Sequence, residues 1–432
     1  MIETLKNAFS QPKMRNKILF TIFIILLYRL GAYIPVPGIP FRELADMSND
    51  QQGALALMNL FSGGALSHMS LLSVGIMPYI TASIIMQLMT VVFPQVKQWQ
   101  KDGYAGRQKI LKCTRWLTIL FGLINSIGYL LRFKGTIQFS TAVPEPLSDL
   151  LVVFTLLIGT AVIMWLGELI TQHGIGNGMS VIIFTSTISQ IPYAIYQSVI
   201  GAANATQGTI LAVAVILGVC IIIPAMVFIE RAQRKVPVHQ SKQAGLARGT
   251  ISYIPFKINA YGVIAIIFAS CLLYFPAQIV SMFGIDNEVV VRIVNVISSG
   301  PVSWALYVVL IVFFCFFYAS VMFNADDIAE NLMKQGSFIP GVRPGTETAE
   351  YLHKVSMNTT LPGAIYVAII AVGSSILFYT TGNDLIQAFG GTSILIMISV
   401  GLDLLSRMES QSNDYREIPS LSNRKTRRRR TQ

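Results

Sequence analysis

Ten apolar runs leave this chain of 432 residues few ways to fold: roughly 18–37, 75–93, 115–133, 150–170, 179–198, 209–229, 259–283, 302–323, 358–379 and 389–406. A helix needs ~20 mostly apolar residues to cross a bilayer, and within the bilayer its backbone groups must satisfy one another. Runs of this length and number predict an all-α polytopic membrane protein with ten transmembrane helices. Composition agrees, with 53% hydrophobic residues, 12% charged residues and a mean hydropathy of +0.59. The 32 lysines and arginines sort between alternate faces of that layout, 27 on one and 4 on the other, with Arg29 inside the first run. The rich face holds the leader, loops 94–115, 230–258 and 324–357, and the tail from Arg407. Positive charge marks the cytoplasmic side, so both termini are expected there. The first run is full length behind a basic leader and lacks a small-residue cleavage site, so it is expected to stay as a span.

Five spans per half is an odd number, so the second half enters from the opposite face, the arrangement of an inverted repeat. The organisation is then a basic cytoplasmic N-terminus 1–17, an N-terminal half 18–198, an external hinge loop 199–208, a C-terminal half 209–406 and a basic cytoplasmic tail 407–432. Within the first half, the stretch 61–93 begins as a glycine-led piece too short and polar to cross a bilayer. Gly63, Gly64, Gly75 and Pro78 then break the backbone ahead of a full span. Broken backbone at membrane depth survives where it lines or fills a cavity. The alternative is an ordinary proline-kinked helix behind a surface loop, and the pattern alone leaves both open. Loop 230–258 alternates basic, polar and β-branched residues, compatible with a protruding hairpin. Loop 324–357 holds ADDIAENLMKQGSF, a short helix, and then a turn-rich tip, IPGVRPG, presenting Arg343. Plain topogenic charge would explain these loops equally well. The tail RKTRRRR reads as a disordered end that attracts lipid or RNA.

Enzyme readings fare badly. His68, His173, His239 and His353 are scattered without a nucleophile or acid at triad-like spacing. GIGNG at 174–178 lacks the lysine and preceding strand of a phosphate loop and fits a tight turn into a helix. Cys113, Cys220, Cys271 and Cys315 show no metal or redox spacing and read as small buried hydrophobes, and no cofactor is expected. Ion-coupled transport needs mid-membrane carboxylates, yet Glu168 and Asp403 fall near span ends. The lone Arg29 fits a tie to backbone carbonyls. Ile76 with Ile80, and Met179 with Ile183, lie one helical turn apart. Such pairs are usually core packing, although a ring of them across a pore would exclude water. Thr81, Ser83 and Gln87 add polar groups along the same helix.

FSGGALS…GIMPYITASIIMQL, MWLGELITQHGIGNGMSVIIF, NLMKQGSFIPGVRPG and FGGTSILI, in this order, resemble the SecY family of protein-conducting channels over about residues 12–408. The resemblance implies two inverted five-helix halves around an hourglass pore, closed by a short plug helix at 61–73. That plug would include Phe61, Ser62, Gly63, Gly64, Ala65, Leu66, Ser67, His68, Met69 and Ser70. It implies a pore ring of Ile76, Ile80, Met179, Ile183, Ile267 and Ile396, and a lateral gate with Thr81, Ser83, Gln87 and Asn259. Arg343, with Arg234, Lys235 and Arg248, would meet the SecA motor ATPase or the ribosome, its RNA as well as its proteins. Other implied partners are the SecE and SecG subunits, signal peptides, unfolded secretory chains and membrane lipids. Met179 stands where the family favours isoleucine, the seventh span reads GVIAIIF instead of GVIPAIF, and loop 230–258 departs from the family around Arg248. The expectation is a non-enzymatic channel subunit of the general secretory translocase in the inner membrane. The rival is a small-solute secondary transporter with inverted repeats.

Overall fold

The computed structural model describes residues 11–37, 59, 62–67, 69–133, 144–200, 205–240, 251–283, 287–298, 300–381 and 390–429. Each of the ten apolar runs falls largely on a helix. Five helical stretches among the described residues are long and apolar enough to cross a membrane: Gly103–Leu131, Pro146–His173, Gly178–Tyr196, Pro301–Lys334 and Thr346–Leu377. A further helix pair bent by 102° passes the same test together. Many outward faces are greasy: Ile221, Phe228 and Trp116 are 74%, 78% and 75% exposed. Surfaces of this kind are stable against lipid and a liability in water. The chain divides into two compact units.

The first unit comprises Met1–Tyr193, Ser281–Ile285 and Met397–Gln432. Helix α1, Pro12–Gly31, starts ahead of the expected 18, because Pro12 occupies a first-turn position that needs no N–H. Arg29 therefore lies in the last turn of α1 and not in the middle of a span. Helix α2, Met77–Val92, has Ile76 at its N-cap and Pro78 in its first turn, so that proline opens the helix without kinking it. Pro94 starts α3, Pro94–Lys101, and the 102° bend sits between the two. Helices α4, Gly103–Phe133, α5, Glu145–His173, and α6, Gly178–Ile200, follow. The basic stretch 94–115 is thus mostly helix and not loop.

The second unit comprises Ala194–Val280 and Asp286–Ile396. Helix α7, Ala205–Arg231, leads into strand β1, Gln233–Gln240, which pairs antiparallel with β2, Ile251–Lys257. The hairpin read from alternation in loop 230–258 is present, with its tip outside the described residues. Helix α8, Gly262–Phe283, then α9, Glu288–Ser298, and α10, Pro301–Met322, continue the chain. Helix α11, Ala325–Lys334, is the short helix expected in loop 324–357. Strand β3, Ser337–Phe338, adds to the free side of β1 and gives the order β2-β1-β3. Helix α12, Thr346–Thr381, closes the unit. Val236, Val238, Phe256, Ala325, Ala329, Ile339 and Leu352 share one apolar core, so loops 230–258 and 324–357 fold as a single body.

Helix α13, Gly391–Arg429, contributes to both units. It runs well past the expected span end at 406. The tail read as disordered is helical to Arg429, since Leu404, Leu405, Met408 and Glu409 are good helix formers that carry the ladder out of the apolar run. The cysteines are free, but Cys315 alone among them is buried; Cys220 is exposed on α7, against the expectation of four buried hydrophobes.

Candidate functional site

The segment before α2 is a chain of turns. Among its described residues, 62–67 and 69–76 contain no helix beyond Ser62, which corrects the expected plug helix; Phe61 and His68 lie outside the described residues. Three glycines explain this. Gly63, Gly64 and Gly75 have φ of 69°, 85° and 63°, a left-handed backbone that breaks a right-handed helix and suits glycine. Gly75 also passes Ser62 closely, since a Cβ there would lie 3.1 Å from the Ser62 Cα.

Turns expose backbone polar groups, so a buried turn segment must find partners for them. This one is buried. Ser62, Gly63, Ala65, Leu66, Met69, Ser70 and 72–76 are all in the interior, while Gly64, Ser67 and Leu71 are partly exposed. Leu66 and Met69 pack with Val36, Val74, Tyr129 of α4, and Val152 and Leu156 of α5. The polar groups are met from α1 and α6. The Tyr28 hydroxyl lies 2.7 Å from the Ser186 hydroxyl and donates to the Ser62 carbonyl at 3.3 Å. Arg29 Nη1 donates to the Gly63 carbonyl at 3.1 Å, and the Ser189 hydroxyl reaches the same oxygen at 3.3 Å. Gln190 donates its amide to the Asn59 carbonyl. Backbone bonds Val36 N to Met69 O (3.0 Å) and Leu71 N to Ile34 O (2.7 Å) finish the attachment. Arg29 does tie backbone carbonyls, as its isolation in an apolar run implied. Tyr28, Ser186, Ser189 and Gln190 were missed; the polar tract Thr185, Ser186, Thr187, Ser189, Gln190 within an otherwise apolar helix was the available signal.

Every candidate ring residue is buried. In the first unit Ile76 and Ile80 are 1% and 8% exposed, at the start of α2, and Met179 and Ile183 are each 7% exposed, in the opening turns of α6. In the second, Ile267 of α8 and Ile396 of α13 are buried too. The start of α6 is set by the GIGNG turn. Gly176 has φ of 80°, Asn177 Oδ1 accepts from Met179 N at 3.1 Å, and Thr171 Oγ1 accepts from Gly178 N at 2.8 Å. That is an N-cap, as expected of a turn leading into a helix.

Each hydrogen bond found for the gate candidates lies within one unit. Thr81 donates to its own helix at Met77 O, 3.0 Å, and Gln87 Nε2 donates to Ser83 Oγ at 3.3 Å. Gln87 Oε1 is buried without a hydrogen-bond partner. Asn259 donates to Glu230 Oε1 within the second unit, and both side chains are buried. Glu168, noted only for its position, forms a two-pronged pair with Arg115, at 2.6 and 2.7 Å, joining α5 to α4.

The body formed by the two loops of the second unit presents the basic candidates. Arg234 and Lys235 are exposed on β1, while Arg248 lies outside the described residues. The Arg343 side chain is 87% exposed, with only a loose 3.8 Å approach to Glu347. Its backbone is held firmly: Thr348 Oγ1 donates to Arg343 O at 2.7 Å, Gly341 and Gly345 turn with φ of 84° and 111°, and Ile339 is in the core. A fixed tip thus carries an exposed guanidinium. Among the described residues no group of His, Cys, Asp or Glu is placed to hold a metal ion.

Comparison with known proteins bears on this arrangement. The sequence profile of the family described as SecY matches residues 70–405. The protein translocase subunit SecY of Streptomyces coelicolor is 40% identical over 429 residues, spanning 95% of this chain and 98% of that protein. The subunit of the same name in Staphylococcus carnosus is 36% identical over 426 residues, covering 96% and 98%. Among solved structures, a protein-conducting channel superposes with a TM-score of 0.63 at 18% identity, covering 91% of each chain. Sec61 in a canine ribosome–channel complex superposes with a TM-score of 0.60 at 17% identity, again covering 91% of each. At those identities the structural likeness carries the fold alone.

Proposed function

The chain belongs to the SecY family, and from that premise we infer that it is the channel-forming subunit of a protein translocase in a cell membrane. It passes unfolded polypeptides across the bilayer and releases apolar segments sideways into lipid. The observation that carries this reading is the buried turn segment 62–76 lying directly before a helix that opens with Ile76 and Ile80. A segment of turns, held largely by hydrogen bonds from Tyr28, Arg29 and Ser189, is suited to move aside as a plug when those bonds release. Apolar side chains behind it seal against ions without binding a passing peptide. Ile76, Ile80, Met179 and Ile183 in one unit, and Ile267 and Ile396 in the other, supply that apolar surface. Charge sorting supports ten spans in two inverted halves with both termini in the cytoplasm. Thr81, Ser83, Gln87 and Asn259 are assigned to the lateral gate. SecE and SecG are the expected companion subunits. The work of transport comes from SecA, the ribosome or the proton-motive force, and the chain itself is no enzyme.

The test is a cysteine at Ile80, in a chain whose native cysteines are replaced, facing a secretory polypeptide stalled in transit. Crosslinks that require both SecA and the stalled polypeptide are expected. Their absence from a protein that assembles and supports export would return Ile80 to ordinary packing. The basic body gives a second expectation. Its exposed Arg343 suits contact with carboxylate or backbone oxygens of the motor. Arg343→Glu is expected to impair SecA-driven export more than ribosome-driven insertion, whereas an equal loss in both assays would point to misfolding of the tip.

A further inference from the structure

Helix α9 has a face that neither the channel reading nor the packing of its unit explains. Val289, Ile293 and Val296 recur at i, i+4 and i+7, so they share one side of the helix, and they are 65%, 54% and 50% exposed. Glu288 and Arg292 lie one residue earlier in the same repeat and form an exposed pair at 3.4 Å. Asn287 caps the helix through Oδ1 to Val289 N at 3.1 Å, so its start is a defined structural point. The helix is therefore amphipathic on its free side, with a seam between Arg292 and Ile293.

Its position in the chain limits what that face can meet. Eleven residues make a helix of about 16 Å, half of the ~30 Å needed to cross the hydrocarbon. It joins α8 to α10, two apolar helices that the ten-span arrangement proposed above runs to and from one membrane surface. The chain from Phe283 to Glu288 reaches at most about 18 Å, and from Ser298 to Pro301 about 11 Å. Helix α9 is thus tethered near the bilayer surface at both ends. Its packing partner α10 continues the same kind of surface, with Val302 and Val309 55% and 62% exposed.

We propose that α9 lies in the headgroup region of the bilayer as an interfacial helix, its Val289–Ile293–Val296 face in contact with phospholipid acyl chains and Arg292 directed to the phosphates. Continuity with the exposed apolar side of α10 favours lipid over a protein partner as the occupant. A free peptide with this little charge would bind a membrane weakly, but α9 is already held at the surface by its neighbours and needs only the apolar contact. A long basic side chain beside that contact places its stem in the apolar layer and its head at the phosphates. The contact holds the α8–α10 junction flat on the membrane.

The experiment places a nitroxide spin label at Ile293→Cys or at Arg292→Cys, in the chain free of its native cysteines and assembled with its companion subunits. The bilayer is phosphatidylethanolamine with phosphatidylglycerol. Collision rates with oxygen, which concentrates in acyl chains, and with a water-soluble nickel chelate are compared. The expected ratio favours oxygen several-fold at 293 and the chelate at 292. Dominant collision with the chelate at 293 would put the face in water and overturn the proposal. Shielding from both reagents would put it against protein and overturn it equally. Val296→Cys reads the same face where a label at 293 prevents assembly. None of these readouts depends on polypeptide export, so they are separate from the test of the channel.

Discussion

Replacing Arg29 with methionine is expected to raise the resting ion conductance of the channel about 10- to 100-fold. The stem of the side chain survives this change while the guanidinium is lost. The Gly63 carbonyl then keeps only the Ser189 hydroxyl, at 3.3 Å, as a side-chain partner. A hydrogen bond from a charged donor contributes about 1.5–3 kcal/mol, and each 1.4 kcal/mol is a factor of ten in population. Every unit of that energy favours the seated segment, because the bond exists only when 62–64 lies against α1 and α6. Arg29→Lys keeps the charge with a differently shaped donor group, so an intermediate conductance is expected. Tyr28→Phe should have a smaller effect. The Ser186 hydroxyl it abandons already donates to Ile182 O at 2.9 Å, so no donor is stranded. Single-channel recording from the purified complex in planar bilayers measures all three. An Arg29→Met channel as tight as its parent would sink the clasp as the device that holds the proposed plug.

The residues of this clasp show where sequence reasoning reached and where it stopped. Arg29 in an apolar run announced a bond to backbone carbonyls, because an arginine there has few other ways to be satisfied. Which carbonyl it takes depends on turns that no periodicity reveals. Three glycines were visible; that all three take positive φ, and so replace the plug helix by turns, was not. Local patterns were legible in the hairpin β1–β2, whose strands alternate residue by residue, and in the GIGNG cap, which closes within a few residues. Pairings across distance were not. Arg115 and Glu168 are 53 residues apart, and Asn259 and Glu230 are 29 apart, so nothing nearby marks either pair. The body formed by the two basic loops was hidden by its own mixed composition. Loops 230–258 and 324–357 interleave charged, polar and apolar residues, and the apolar ones, among them Val236, Phe256, Ile339 and Leu352, bring the loops together.

Gly178→Ala is expected to destabilise the protein by about 3 kcal/mol, although alanine is the better helix former. The reason is distance. A Cβ at Gly178 would stand 1.8 Å from the Gly167 carbonyl oxygen and 2.9 Å from the Ile170 Cβ. A Cβ at Gly167 would in turn meet Met179 Sδ at 2.1 Å. The end of α5 and the start of α6 therefore approach backbone to backbone, and glycine is what permits it. Relief requires α6 to withdraw, which strains the Thr171 and Asn177 bonds at its cap and costs at the upper end of what overpacking usually does. The consequence for the proposed pore ring is direct, because Met179 and Ile183 occupy the first turns of α6 and move with it. Helical glycines with open space supply the control. Nothing lies within 4 Å of a Cβ at Gly218 or Gly373, so alanine there relieves the entropy cost of glycine without a clash. Thermal unfolding of the detergent-purified complex is the measurement. A lower midpoint for Gly178→Ala, beside an unchanged or higher one for Gly218→Ala and Gly373→Ala, is the expected pattern. Equal midpoints for all three would mean that the α5–α6 approach is loose enough to admit a methyl group, and that Met179 and Ile183 are placed by something other than this contact.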